Sequence, residues 1–315
     1  MSSPRDPEPP VSLLYLADLE GRRNEKVFDD WRPRRVDAEG FEPLLGETRA
    51  RVGEKVIERM SDFDALEATA LEAAWRGLER LVGERTGTAR IEAMGISLDL
   101  VREDFEEVPG PDKTSFYEQL YARQWYSGAD ASGRLIWPKG WPFAAVLVAY
   151  PLAAEDLDLV AQLAEVASRS AAVLVVDGRA FEREALGALP GSIVLAAPAE
   201  RPELAVAEVG AAFLRGSLSH LETASGEPLA LAAFRHRLFH ALARIELSGR
   251  REPFETRVAA MREWLASAAS GLSGATLEVE EGEHRWDRPR FVLTGTVTAL
   301  TSPPLRIEGL LPREM

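Results

Sequence analysis

The chain has 315 residues, 46% of them hydrophobic and 28% charged, the composition of a soluble globular protein with room for about two domains. Its formal net charge of -14 excludes the concentrated Lys and Arg surface that phosphate binding needs, so no nucleic-acid partner is expected; the one basic cluster, Arg32, Arg34 and Arg35, stands among acidic residues. With 0 Cys, disulfides and thiolate chemistry are excluded, and no run approaches the roughly 20 apolar residues of a membrane span.

Residues 1–10, MSSPRDPEPP, are Pro-rich and polar, with no apolar signal-peptide core; they read as a flexible arm of a cytoplasmic protein with no membrane insertion. The run VSLLYLADLEG predicts a largely buried strand with an exit turn. A strand that follows a loose arm pairs either within its own sheet or at the sheet edge of another chain. From Leu66 to Val82, apolar residues recur at three- and four-residue steps, which predicts a core helix carrying Trp75, Gly77 and Leu78. Gly at its centre lets another backbone approach, a use that offsets the roughly 1 kcal/mol it costs in a helix interior.

A strand is predicted from Ala89 to Ile96, followed by a charged helix start or loop. Phe116, Leu120, Trp125 and Tyr126 fall on roughly helical spacing; a carbohydrate site could use such aromatics, but core or interface packing is their ordinary role. Phe143 to Tyr150 is a continuous apolar run between Pro142 and Pro151, and the run through Gly178 has the form of a β-α-β unit with parallel neighbours. A further strand at Ser192 to Ala197 and a helix at Leu204 to Arg215 follow. Later come an apolar helix with His236 and His240, and a helix with Phe254, Val258, Met261, Trp264 and Leu265 on one face. Period-two alternation marks strands at Thr276 to Glu280 and Phe291 to Leu300, with a last strand in LRIEGLLPREM.

No catalytic, cofactor or metal site emerges. Asp177-Gly178 ends a strand where ligands often sit, yet neither GxGxxG nor GxxxxGK[ST] is present. His236 and His240 have metal-binding spacing, but Arg237 occupies the place of a catalytic Glu and no third ligand is evident. The carboxylate pairs Glu106-Glu107 and Glu280-Glu281 lack a neighbouring His or aromatic pocket, and no GxSxG elbow is present.

The stretch FDALEATALEAAWRGLERLV resembles the opening segment of the large contractile-sheath subunit of type VI secretion systems, in its Phe, its Leu-Glu pair and its Trp-x-Gly-Leu. Arg34, Arg35, Val36, Asp37 and Phe41, after the strand at Leu14 to Gly21, resemble the front of the small sheath subunit. Phe234, Arg235, His236, Phe239, His240 and Gly249 match a late large-subunit helix, and the Trp264-Leu265 helix and closing strands follow in the family's order. The resemblance implies an α/β (α+β) fold, a contractile tail-sheath-like core with mixed sheets flanked by helices. It implies a flexible arm at 1–10, a sheath core domain from 11–60 plus 226–315, and a large-subunit-like middle domain at 61–225. The expected function is that of a fused, reduced sheath protomer, not an enzyme, self-assembling as a helical homo-polymer around an inner-tube protein on a baseplate. Terminal strands would be exchanged between protomers, with Val11, Leu13, Leu14, Leu16, Leu305 and Ile307 as candidates. Because the small subunit's later helices and the large subunit's N-terminal extension have no counterpart, recycling by the family's unfoldase is not expected. The alternatives are a non-contractile scaffold, baseplate or ring-forming protein and, more remotely, an enzyme on an α/β fold.

Overall fold

The computed structural model describes residues 11–21, 32–67, 69–85, 89–108, 110–122, 143–197, 200–249, 252–281, 288–300 and 304–311. In chain order, strands β1 (Ser12–Ala17) and β2 (Arg34–Val36) precede helix α1 (Phe41–Thr48) and the short pair β3 (Arg51–Val52) and β4 (Lys55–Val56). Helix α2 (Ala70–Gly83), β5 (Arg90–Gly95), α3 (Leu98–Glu106) and a single turn α4 (Ser115–Tyr117) come next. Then β6 (Ala145–Val148), α5 (Leu157–Ser168), β7 (Val173–Asp177), α6 (Arg183–Gly187), β8 (Ser192–Ala196) and α7 (Pro202–Arg215) alternate. The described chain closes with α8 (Leu229–Ser248), α9 (Phe254–Ala266), β9 (Leu272–Glu280), β10 (Arg290–Val297) and β11 (Leu305–Leu310).

The main sheet has six strands in the order β2-β5-β1-β6-β7-β8. Five are parallel, and the edge strand β2 runs antiparallel to β5. The fold is therefore α/β, with mixed sheets and helices on both faces. Alternate residues of β1 divide between two cores, as strand geometry requires. Leu13, Tyr15 and Ala17 meet α1, α2 and α7, whereas Leu14 and Leu16 meet α3 and α5. The second core continues without a break into α8, α9 and an antiparallel three-stranded sheet ordered β11-β10-β9, where the rings of Phe239 and Phe291 lie 6.1 Å apart.

The helix predicted from Leu66 starts instead at Ala70. Thr69 accepts a hydrogen bond from the Glu72 N–H with its side chain, an N-cap, while Met60–Ala65 forms a separate 3-10 turn. Trp75 is fully buried, donates Nε1–H to the Leu19 carbonyl at 3.1 Å, and meets Phe41 edge to face at 5.8 Å. Beside it, the Tyr15 hydroxyl donates to the Ala74 carbonyl, and a Cβ on Gly77 would collide with that hydroxyl. Leu78 is buried in the same core, and Trp264 packs, partly buried, against the other. The helix expected near Phe116 is one α turn followed by a π turn over Glu118–Ala122. The arm 1–10, Trp125, Tyr126 and Pro142 lie outside the described residues.

The β-α-β expectation is met: β6 and β7 are parallel neighbours joined through α5. The expected boundary between 11–60 and 61–225 cuts through this sheet. β1, from the first stretch, is hydrogen-bonded on one side to β5 and on the other to β6, both from the second.

Candidate assembly surface

Strand edges are where a β-containing surface is least saturated. The six candidates for strand exchange occupy two different settings. Leu13, Leu14 and Leu16 are 0% exposed, in a strand paired on both sides within the chain, and Val11 sits at its mouth. For β1 to be exchanged it would have to leave the middle of its own sheet and strip both cores. Leu305 and Ile307 lie in β11, which has β10 on one side only, so that its other edge ends the sheet.

Hydrogen-bond phase fixes which main-chain groups that edge presents. The Leu311 N–H donates to the Pro289 carbonyl at 2.8 Å, and Ile307 stands opposite Leu293, so the odd-numbered positions of β11 are turned toward β10. Main-chain N–H and C=O groups of Arg306, Glu308 and Leu310 therefore face outward. The side chains of Leu305 and Ile307 point into the core, while Leu310, 41% exposed, is one of the two large apolar residues left open to solvent among those described.

A cleft of about 430 Å³ runs beside this edge, bounded across from β11 by the α5–β7 turn and the start of β8. Arg169, Arg235, Arg288 and Arg306 line it, with Glu308, a concentration of positive charge on a chain of net charge -14. Hydrogen bonds from Arg306 and Arg290 hold the Glu308 carboxyl below the usual range. Arg235 is 2.9 Å from Glu227, whose carboxyl is pushed up by burial and pulled part of the way back by that arginine.

Asp177, His236 and His240, also considered from sequence, make contacts within the chain. Asp177 receives hydrogen bonds from the Arg179 N–H and guanidinium, which closes the turn after β7. His236 and His240 stack with ring centroids 6.3 Å apart, and His236 Nδ1 is 3.0 Å from the Ser170 carbonyl. Among the described residues no cluster of three or more metal-ligating side chains occurs, and no helix is long and apolar enough to cross a membrane.

Residues 52–205 match the family model of the VipB/EvpB tail sheath N-terminal domain. The match supports a type VI sheath-family relationship. It runs from β3 to the first turn of α7, and so covers most of the main sheet of this sheath-like chain, but neither β1 nor β11. No curated protein and no solved structure gives a significant match. The sheath family is structural rather than enzymatic, in keeping with a surface made of strand edges and charge.

Sequence reasoning named Leu305 and Ile307 but missed Arg306, Glu308 and Leu310, whose outward main chain forms the edge. The alternation in LRIEGL carries that signal, because residues flanking buried positions turn the opposite way. The four arginines of the cleft come from four separate elements and loops, and no local pattern in the sequence brings them together.

Proposed function

We propose that this chain is a structural protomer of a type VI-like contractile sheath, a short small-subunit-like front fused to a large-subunit-like body. Copies join by adding a strand to the open β11 edge and so build a helical tube around an inner-tube protein. The observation that carries the reading is the outward main chain of Arg306, Glu308 and Leu310, without a strand partner among the described residues, on a body related to the sheath family. Each main-chain hydrogen bond to a donated strand contributes about 0.5 to 1.5 kcal/mol net, and side-chain contacts along the cleft select the partner. Fusion of the two parts is supported by the sharing of one sheet between β1 and β2 from the front and β5 to β8 from the body. A donated strand tethers neighbours while their other contacts change, which is what a contracting tube requires.

The test is Glu308→Pro. Its N–H faces away from β10, so proline removes no internal ladder bond while blocking an incoming strand. The surface ion pairs lost with Glu308 are worth little. The variant should fold normally and fail to polymerise under conditions in which the parent chain polymerises; unchanged polymers would rule out β11 as the joint.

A further inference from the structure

The C-terminal sheet has two edges, and they are not equivalent. On β9 the pairs Arg290–Glu280, Val292–Glu278 and Thr294–Thr276 turn the main chain of Leu277 and Val279 outward, away from β10. Both the Nε and Nη2 groups of Arg262 donate to the Leu277 carbonyl, at 3.2 and 3.1 Å. Arg262 is carried by α9, whose Val258, Met261 and Leu265 are buried in the core, so the guanidinium is held at the edge from a fixed base. Among the described residues no side chain donates to the main chain of Arg306, Glu308 or Leu310 on the opposite edge.

We propose that Arg262 closes the β9 edge and thereby makes strand addition to this sheet one-sided. The proposal rests on the strand-addition reading above and supplies its direction. A strand approaching β9 would need the Leu277 carbonyl as acceptor. It would have to displace both donors and leave a permanently charged guanidinium without its acceptor against an incoming backbone, a standard way of keeping an edge from pairing. Glu278, Glu280 and Glu281, exposed along and just beyond the same strand, add like-charge repulsion between two β9 edges. With one edge closed and one open, each protomer accepts a single strand from a second copy of this chain. Where the donated strand comes from another part of the second copy the contact is heterologous and propagates as an open helix, whereas two β11 edges paired with each other would close a symmetric dimer.

The full chain is compared as parent, Arg262→Ala, Arg262→Leu and Arg262→Lys, each alone and combined with Glu308→Pro. Sedimentation velocity reads the assembly, and hydrogen exchange reads the Leu277 and Val279 amides; Arg262→Leu keeps the apolar stem should the alanine variant fail to fold. The expected result is that Glu308→Pro alone is monomeric, and that adding Arg262→Ala or Arg262→Leu restores oligomers in which the Leu277 and Val279 amides are newly protected. Arg262→Lys, which retains charge and a donor, should stay monomeric in that background. Folded double variants that remain monomeric, with the two amides exchanging as in the parent, would overturn the proposal. If Glu308→Pro itself still assembles, the β11 joint fails. The role of Arg262 is then decided by the single variants: gained protection at Leu277 and Val279 upholds it, and unchanged exchange refutes it.

Discussion

Two residues show how tightly the body is drawn together. Gly77 sits where α2 passes over β1, and a methyl group there would fall within contact distance of the Tyr15 hydroxyl and the Glu203 carbonyl oxygen of α7. Gly77→Ala should therefore destabilise the fold by about 1–3 kcal/mol through overpacking, despite the roughly 1 kcal/mol that alanine ordinarily gains in a helix. Chemical denaturation measures this, and Tyr15→Phe in the same chain should recover part of the loss. His240 is held neutral mainly by burial, then by its neighbours His236 and Arg244, with its pKa lowered from 6.5 to about 3. Because the unfolded chain protonates near pH 6.5 and the folded chain does not, the stability from this group is complete above pH 6.5. It is lost as pH falls toward 3, by up to about 1.4 kcal/mol per pH unit. Burial raises the Glu92, Glu203 and Glu227 carboxyls, whose contribution has the opposite sign and is lost as pH rises through their folded-state values. Denaturation of His240→Leu beside the parent chain isolates the histidine: the stability gap between the two should shift in favour of the variant as pH is lowered below 6.5. A constant gap would mean that His240 protonates in the native state.

Among elements, β6, α5 and β7 are legible in the sequence because fully buried parallel strands are continuous apolar runs, here set off by Pro151 and Gly178. α2 is legible for its periodicity, though its true start depends on Thr69 acting as a cap. β2 is not, since Arg34-Arg35-Val36 has no strand pattern of its own and is extended only because β5 offers it an edge. The place of β1 is likewise non-local. Its apolar run says that it is buried, and only the pairing with both β5 and β6 says that it is central. The same limit applies to the two edges of the C-terminal sheet: alternation marks Thr276 to Glu280 as a strand but does not show that a side chain from α9, 15 residues before Leu277, reaches its outer carbonyl. At this scale Glu308→Pro should abolish association without changing the thermal midpoint appreciably, as read by sedimentation together with circular dichroism.

For the whole molecule, charge and edges act in opposite directions. Copies of a chain of net charge -14 repel one another, while in the proposed assembly the arginine-lined cleft beside β11 favours an acidic segment. The repulsion is spread over the surface and is screened first. As salt rises from about 10 to about 150 mM, the Debye length falls from about 30 to about 8 Å, and assembly should strengthen. Light scattering across that range checks the sign; a steady decline would show that attraction at the cleft outweighs the global repulsion. The described residues of the sheath-related stretch 52–205 form a three-layer unit, and β11 lies outside it on a second sheet that shares its core. β11 is thus connected to the body through packed side chains. The most direct test of the central claim is electron microscopy of the purified full chain beside Glu308→Pro, at matched concentration and salt. Hollow helical tubes from the parent and dispersed single particles from the variant are the predicted result; tubes from both, or from neither at any salt, would contradict a sheath joined through β11.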